Sequence, residues 1–345
     1  GTIRPRFGGS NGARFVSLAP YLFLHLLADR KLNPGAVKLD VGQGDMTALL
    51  PLIVNENLSA FATAFPCFVG DDLTRRLPPE LLKALLDAGC RMLPEDAQHH
   101  SNEPTKPVLP PSAHWLSGNW YLAPPARTSG NQAASRALSL KLLQRVAADA
   151  DTCEIEAIFR QDPVLAYHLL RLVNSLGVGV GRHISSFSQA ILILGRQQLK
   201  RWLNLMLFAA CRDDYRSNML QARVAIRAHS MELLAKAGGL DRSEQEHAFM
   251  AGMFSLLGVL FGKPLTEILK PLKLNDSLTD AVLAYKGKLG HLLQAVECAE
   301  RADEAGLISL LDSLNLSSAD FNSLNIEAHQ WMLSVIQDKQ DTVDA

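Results

Sequence analysis

The residues of this chain that could carry chemistry are chiefly its ten histidines, because imidazole nitrogens bind transition metals and carry protons near neutral pH. Metal ligands on a helix recur three or four residues apart, which places them on one face. His229 and Glu232 meet that spacing, and His247 follows in the next helical segment. Asp241 and Glu244 lie between them and are the acids that could complete a metal site. Nothing else completes the set, so the pattern favours histidines that are satisfied in the core or on the surface.

The other candidate centres are weaker. His99 and His100 are adjacent and therefore do not share a face, and they lie in a proline-rich stretch at 94–112. The glycines at 177–181 follow a predicted helix, and no Lys-Ser or Lys-Thr comes after them, so they predict a turn between helices and not a phosphate loop. No Ser-His-Asp, Cys-His or paired-carboxylate arrangement stands out. The residues therefore favour a protein without catalytic chemistry.

The elements that would position a site in the second part of the chain are helices. Residues 184–211 are typical of two helices joined at Gly195, the first of them capped by Ser186 with Gln189 three residues later. The apolar positions of the second helix recur at helical spacing: Leu199, Trp202, Leu203, Met206 and Leu207. From residue 134 onward nearly every segment has this period. We therefore predict an all-α domain that begins there.

The first part of the chain has mixed character. Three strands are predicted, from segments in which apolar and polar residues alternate or in which the residues are continuously apolar. They cover 36–41, 59–69 and 91–93. A helix is predicted over 80–88, opened by Pro79 and ended by Gly89. The five prolines between 94 and 112 predict a loop. Strand, helix and strand in this order indicate an α/β layer.

The net charge, the cysteine content and the apolar segments of the chain exclude some classes of function. The 345 residues carry a net charge of −1, which excludes a strong general attraction to nucleic acid or to an anionic membrane. Five scattered cysteines without a C-x-x-C pair favour a reducing cytoplasm over a disulfide scaffold. The apolar run at 15–28 imitates a signal peptide, but Pro20 and His25 interrupt it. We therefore expect a cytoplasmic protein with no membrane partner.

Two segments of the helical part match the pattern of a known family. Residues 162–175 contain Asp-Pro followed by Leu-Leu-Arg-Leu-Val-Asn-Ser. Residues 184–202 read I-x-S-x-x-Q-A-I-x-x-L-G-x-x-x-L-x-x-W. These segments resemble the HDOD domain, a catalytically degenerate relative of HD-type metal phosphohydrolases found in bacterial signalling proteins. The resemblance runs through much of 137–336.

The same resemblance bears on the metal centre. HD proteins place a lone histidine before an A-G-L-L-H-D-I-G helix, and here His229 and residues 251–258 occupy those places. The metal-binding His-Asp pair is replaced by Ser255 and Leu256, and a leucine cannot ligate a cation. The resemblance thus implies an HD-like scaffold without its metal centre. It places a ligand-binding face near His229, Ser255 and Arg227.

The C-terminal segments 281–302 and 328–331 are similar to the tail of two-domain EAL–HDOD proteins. In those proteins an EAL-like module, a (β/α)8 barrel that hydrolyses cyclic di-GMP with metal-bound carboxylates, precedes the HDOD domain. Residues 117–124 resemble the end of an EAL domain. No Glu-Ala-Leu triplet occurs, however, and residues 1–125 are too few for a full barrel. The resemblance therefore implies a degenerate, truncated remnant.

We accordingly expect an α+β protein: a truncated α/β N-terminal module followed by an all-α HD-like (HDOD) helical domain. The expected bounds are 1–125 for the degenerate EAL-like module, 126–133 for a linker and 134–345 for the helical domain.

The predicted function is non-catalytic regulation in bacterial signal transduction. The helical domain would bind an unknown signalling protein or a small ligand such as a nucleotide second messenger, with no cofactor, no metal and no catalytic residue. Two alternatives remain open. One is a residual metal-dependent phosphohydrolase that uses His229 and His247. The other is a cyclic di-GMP receptor that uses Arg75 and Arg76 of the N-terminal module.

Overall fold

The chain folds into a curled sheet module followed by helices, so the predicted α+β class is confirmed. The computed structural model describes residues 19–123, 214–270 and 274–336, together with the single positions 141, 144, 145, 148, 150, 151, 154, 155 and 201. Of the helices predicted at 184–211, only Arg201 is among the described residues. The predicted linker and the segments 162–175 and 177–181 lie outside them.

The described part of the N-terminal module is built on one mixed sheet of six strands. The strands are β1 (Leu22–Ala28), β2 (Pro34–Val41), β3 (Cys67–Gly70), β4 (Arg91–Leu93), β5 (Gln98–His100) and β6 (Trp115–Ser117). Their order in the sheet is β4-β3-β2-β1-β6-β5. β1 runs antiparallel to both of its neighbours, and the other neighbouring pairs are parallel. The sheet curls into a half-barrel.

Short helices connect the parallel strands. They are α1 (Leu50–Val54), α2 (Glu56–Ala64), α3 (Asp71–Thr74) and α4 (Pro79–Asp87), with 3-10 turns at Met46–Leu49, Glu95–Ala97 and Trp120–Leu122. The strands predicted at 36–41 and 91–93 and the helix predicted at 80–88 are confirmed. Gly89 ends α4 with a φ of 101°, a left-handed conformation that favours glycine.

The strand predicted over 59–69 is wrong for its first half. Residues up to Ala64 belong to α2, and only Cys67–Gly70 is a strand. Asn55 caps α2 by accepting a hydrogen bond from the Asn57 backbone N–H, at 3.3 Å. The side chains of Leu58, Phe61 and Ala62, which α2 buries, have helical spacing. A continuous apolar run indicates burial but does not by itself distinguish a strand from a helix.

The loop predicted over 94–112 also contains regular structure. A 3-10 turn at Glu95–Ala97 leads into β5 (Gln98–His100), which pairs with β6. Proline can flank a strand at the edge of a sheet, where one side of the strand needs no hydrogen-bonding partner. The proline-rich composition of this segment therefore predicted only a loop, although the segment contains the short edge strand β5.

The described C-terminal residues are helical. The helices are α5 (Ser217–Ala237), α6 (Arg242–Ser255), α7 (Leu257–Phe261), α8 (Leu265–Leu269), α9 (Asp276–Ala284), α10 (Gly287–Glu300), α11 (Glu304–Ser313) and α12 (Ser318–Ile336). Asp241 and Glu244 form a reciprocal capping box at the start of α6. α6 lies close to α5 at Gly252, where a Cβ atom would come within 2.6 Å of the Ala228 Cα atom. Among the described residues, no helix is long and apolar enough to cross a membrane.

The sheet module and the helices share one hydrophobic core. β1 contacts α10 and α12, and polar side chains of the helical part complete the backbone hydrogen bonding of the sheet module. Asn322 accepts from the Leu22 N–H at 2.7 Å and donates to the Pro20 carbonyl at 2.9 Å. Glu304 accepts from the Gln43 N–H at 2.9 and 3.0 Å. The described part of the N-terminal module is therefore docked on the helices, while the domain bounds given above stay a prediction.

Replacing Asn322 with alanine is expected to lower the free energy of unfolding by about 2–4 kcal/mol, because two buried backbone groups lose their partner. The side chain is 0% exposed, so water cannot replace it without opening the interface. Urea denaturation measures the change. Ser323→Ala, at an exposed position of the same helix, is the matched control and should change stability by less than about 0.5 kcal/mol. Equal stability of the two variants would contradict the role given to Asn322.

Candidate functional site

The three residues predicted to form a ligand face lie on two neighbouring helices. Arg227 and His229 belong to α5, and Ser255 is the last residue of α6. α5 is buried along most of its length, including the side chains of Arg223 and Arg227, which are four residues apart and so share a face. The structure brings Arg227 and Ser255 into contact, whereas the contacts of His229 are with other residues.

The Arg227 guanidinium lies at the centre of a buried cluster. Its Nε and Nη2 atoms donate to the two carboxylate oxygens of Glu300, at 2.9 and 2.6 Å. Its Nη1 atom donates to the Ser255 hydroxyl at 2.9 Å and to Glu297 at 3.1 Å. The Ser255 hydroxyl in turn donates to the Gly252 carbonyl at 2.8 Å. Arg227 therefore forms a bidentate, charge-assisted pair with Glu300 and bridges α5 to α6 and α10.

The cluster continues to the N-terminal module through Arg223. The Nε and Nη2 atoms of Arg223 donate to the Tyr121 hydroxyl at 2.9 and 2.6 Å, and Nη1 lies 3.9 Å from Glu300. The Tyr285 hydroxyl donates to Glu297 at 2.9 Å. We call the following residues the buried charge cluster: Tyr121, Arg223, Arg227, Ser255, Glu297 and Glu300. Its two arginines and two glutamates balance in charge.

The pKa of the Glu300 carboxyl depends on the neighbouring arginine charges. Burial alone would raise the pKa of the Glu300 carboxyl, but the charges of Arg227 and Arg223 outweigh burial and hold that pKa below its usual range. Burial would likewise lower the pKa of Arg227, whereas Glu300 and Glu297 raise that pKa above its ordinary value. Arg223, Arg227 and Glu300 are thus ionised together at neutral pH.

His229 belongs to a second, aromatic group of residues. Its Nδ1 atom lies 3.0 Å from Glu232, and its ring stacks on Trp331 with the centroids 4.7 Å apart. Arg201 forms ion pairs with Glu232 and Glu246 and lies 4.0 Å above the Phe249 ring. Burial would raise the pKa of Glu232, but the hydrogen bonds from His229 and Arg201 hold it below its usual range. These contacts give His229 a structural environment that is separate from Arg227 and Ser255.

Apart from His229 and Glu232, which are in contact, the residues proposed as metal ligands do not converge. Asp241 and Glu244 cap α6, and the His247 Nε2 atom lies 3.3 Å from the Asn275 side chain. Within the described ranges, no group of three or more His, Cys, Asp or Glu residues could hold a metal ion. Ser255 and Leu256 were predicted to replace the metal-binding pair of HD proteins. The Ser255 hydroxyl accepts a hydrogen bond from Arg227, and the Leu256 side chain is 4% exposed.

The acidic half of the cluster was missed by sequence reasoning. Glu297 and Glu300 lie three residues apart in the last turn of α10, and Arg223 and Arg227 lie four apart within α5. Charged residues at helical spacing inside apolar helices are a signal for buried ion pairs, since isolated charges are rarely buried. That signal was available. It does not say which helix pairs with which.

Part of this chain matches the model of a known protein family. Residues 137–267 match the family model described as the HDOD domain, so the HDOD resemblance is confirmed over that range. The match covers α5, α6 and α7 of the described residues, and with them Arg227, His229 and Ser255.

Two curated relatives are similar in sequence. The protein named "Cyclic di-GMP phosphodiesterase CdgJ" from Vibrio cholerae serotype O1 is 31% identical over 183 residues, which is 53% of this chain and 42% of that protein. The "Uncharacterized protein YuxH" of Bacillus subtilis (strain 168) is 25% identical over 228 residues, 65% of this chain and 55% of that protein. The chain thus spans about half the length of the curated relatives it matches.

A solved structure from Shewanella amazonensis SB2B, named "Putative phosphohydrolase", is similar at 16% identity with a TM-score of 0.39. The similarity covers 61% of this chain and 98% of that one. At this score the likeness is too distant to support an argument about fold or function.

Proposed function

We propose that this protein, which carries an HDOD domain across residues 137–267, is a non-catalytic regulatory protein of bacterial signal transduction. One observation carries the proposal: the Arg227 guanidinium holds Ser255, Glu297 and Glu300 together, and by the HDOD resemblance Ser255 corresponds to a metal ligand of HD proteins. The helical domain then acts as a binding module for a signalling protein.

The cluster is chemically unsuited to metal-dependent hydrolysis. A catalytic metal needs several deprotonated ligands and an open position for water or substrate. Here both carboxylates are paired with arginines, and Leu256 offers no donor atom. A divalent cation beside Arg227 would also meet the repulsion of a fixed positive charge in a medium of low dielectric constant. The cluster therefore stabilises the contacts of α5 with α6 and α10 and does not activate water.

The curled sheet module is, on this proposal, part of a degenerate EAL-like barrel. Two features of the described residues support the interpretation. β2, β3 and β4 are parallel neighbours joined by helices, as in a (β/α) barrel, and the sheet is curled into half of one. The antiparallel β1 departs from a regular eightfold barrel.

Metal content and hydrolysis test the proposal together. After incubation with Mn²⁺, Fe²⁺ and Mg²⁺ and then desalting, we expect elemental analysis to find far less than one transition metal ion per chain. We also expect no hydrolysis of cyclic di-GMP in the presence of these ions, measured by chromatography of the nucleotides.

The matched variants for this experiment are His229→Ala and His291→Ala, the latter at an exposed position of α10. His291→Ala controls for metal held by surface imidazoles. Near-stoichiometric metal with cyclic di-GMP turnover, both lost in His229→Ala and kept in His291→Ala, would overturn the proposal and establish a residual phosphohydrolase.

A cyclic di-GMP receptor is the second candidate, favoured by the 31% identity to a protein named as a cyclic di-GMP phosphodiesterase. Arg75 and Arg76, both exposed, follow α3 at the carboxyl end of β3, and Arg76 is 3.4 Å from Asp40. Titration of the intact protein with a fluorescent cyclic di-GMP decides the matter. Saturable binding that Arg75→Ala weakens and Lys83→Ala leaves unchanged would support the receptor. No saturation up to high micromolar concentration would exclude it.

A further inference from the structure

Two cysteines lie side by side on neighbouring strands of the sheet module. β3 and β4 are parallel, with Phe68 opposite Arg91, Val69 opposite Met92 and Gly70 opposite Leu93. The same register, continued by one residue, places Cys67 opposite Cys90. Both thiols are free, and both side chains face the large core shared with the helices.

The spacing of the two cysteines suits a disulfide. Neighbouring strands lie about 4.8 Å apart, and the Cα atoms of disulfide-bonded cysteines are usually about 4.4–6.8 Å apart. Residues opposite each other in a sheet direct their side chains to the same face, so the two Sγ atoms approach without a change of strand register. Cys90 lies just before β4, directly after the left-handed Gly89, where the backbone can adjust.

The two thiols differ in acidity. The interaction with Cys90, reinforced by burial, raises the pKa of the Cys67 thiol, whereas the interaction with Cys67 lowers the pKa of Cys90. The Cys67 thiol donates a hydrogen bond to the Phe65 carbonyl at 3.4 Å. The attacking group in an exchange reaction is a thiolate, so Cys90 is the nucleophile of the pair.

Access to the pair comes from the edge of the sheet. Cys67 is 0% exposed and Cys90 is 4% exposed, so an oxidant reaches them only when the structure opens locally. β4 is a strand of three residues at one edge of the sheet, and Arg91 and Met92 are exposed. Short edge strands are among the elements that open at low free-energy cost.

We propose that Cys67 and Cys90 form a reversible disulfide when the protein meets a small-molecule disulfide such as oxidised glutathione. The Cys90 thiolate attacks one sulfur of glutathione disulfide, forming a mixed disulfide and releasing one glutathione thiolate, which takes up the Cys90 proton. Cys67, giving up its proton, then attacks the Cys90 sulfur and releases the second glutathione. The two protein thiols are oxidised by two electrons, and one glutathione disulfide is reduced to two glutathiones. The cross-link fixes the edge strand β4 to β3 independently of the proposed regulatory function.

Mass spectrometry of the intact chain tests the cross-link. The reduced protein is equilibrated with excess oxidised glutathione, blocked with N-ethylmaleimide and digested with trypsin without reduction. Cleavage after Lys38, Arg75, Lys83 and Arg91 separates the peptides 39–75 and 84–91. We expect these two peptides as one linked species that is lighter by two hydrogens than their sum, and that reduction restores to the separate thiol peptides.

Two variants complete the experiment. Cys298→Ala removes another buried cysteine and should leave the linked species unchanged. Cys90→Ala should abolish it and should also abolish the rise of several degrees in Tm that we expect on oxidation of the wild type. The proposal is overturned if both peptides carry N-ethylmaleimide after oxidation, if Cys90 ends as a stable glutathione adduct, or if either cysteine links to a different one.

Discussion

Replacing Arg227 with methionine is expected to lower the free energy of unfolding by about 3–5 kcal/mol, because Glu297 and Glu300 are then left as largely buried carboxylates without their main counter-ion. Arg227 supplies four hydrogen bonds to three side chains on two other helices. Methionine fills a similar volume and makes none of them. Urea denaturation followed by circular dichroism measures the loss, and protein that cannot be recovered in folded form would agree with the upper end of the range.

A surface ion pair provides the comparison for Arg227. Lys286 lies 3.5 Å from Asp280, with the two side chains 67% and 53% exposed. Lys286→Met removes the same formal charge, but exposed pairs contribute only about 0–1 kcal/mol. A second variant, Arg227→Met with Glu300→Met, should recover part of the lost stability because one uncompensated carboxylate is gone. If Arg227→Met costs no more than Lys286→Met, the buried charge cluster does not hold the helices together as described.

Acidification from pH 6.5 to pH 4 is expected to destabilise the fold through His329 by about 3 kcal/mol. His329 is buried on α12, and its Nδ1 atom lies 2.8 Å from the Asn325 carbonyl. Burial is the largest effect and lowers the pKa of His329 to about 4, because it outweighs the hydrogen bonds with the Asn325 and Leu24 backbone that would raise this pKa, and the charges of Arg223 and His25 act in the same direction as burial. The unfolded chain, with an ordinary histidine, therefore takes up a proton throughout this range while the folded protein does not.

The direction of the effect follows from proton linkage. The stability associated with neutral His329 is fully present above pH 6.5, and it falls as the pH drops towards 4 because the unfolded state binds more protons. Below pH 4 both states are protonated and this contribution stops changing. Urea denaturation at several pH values measures the slope, and His329→Gln, which cannot ionise, should flatten it relative to the wild type. His291→Gln, at an exposed position, should keep the wild-type slope. Equal slopes for the wild type and His329→Gln would contradict the assignment.

Helices and strands of this protein could be predicted from the sequence wherever a single pattern of apolar and turn-forming residues was clear. The alternation at 36–41, the proline-opened helix before Gly89 and the apolar periods of α9 and α10 each depend on neighbours within a few residues. The strand predicted over 59–69 was wrong in its first half because a continuous apolar run fits a buried strand as well as a buried helix. There the Asn55 cap and the helical spacing of Leu58, Phe61 and Ala62 indicate the helix that forms.

The resemblance to HD proteins, which is carried by the sequence alone, also predicts that Ser255 and Leu256 replace the metal-binding pair of that scaffold, and a leucine provides no ligand wherever it lies. The sequence by itself identified the HDOD segment, which the family comparison confirms. These inferences needed only residue identity and spacing along the chain.

Only the tertiary structure decided what the charged residues do. Arg227 and Glu300 are 73 residues apart in the chain, and Arg223 and Tyr121 are 102 apart. Sequence patterns report which face of a helix is buried, whereas the partner of a buried charge depends on how helices pack across long separations. The same holds for His229, which stacks on Trp331 and does not join Arg227, because two residues along a helix turn a side chain to a different face.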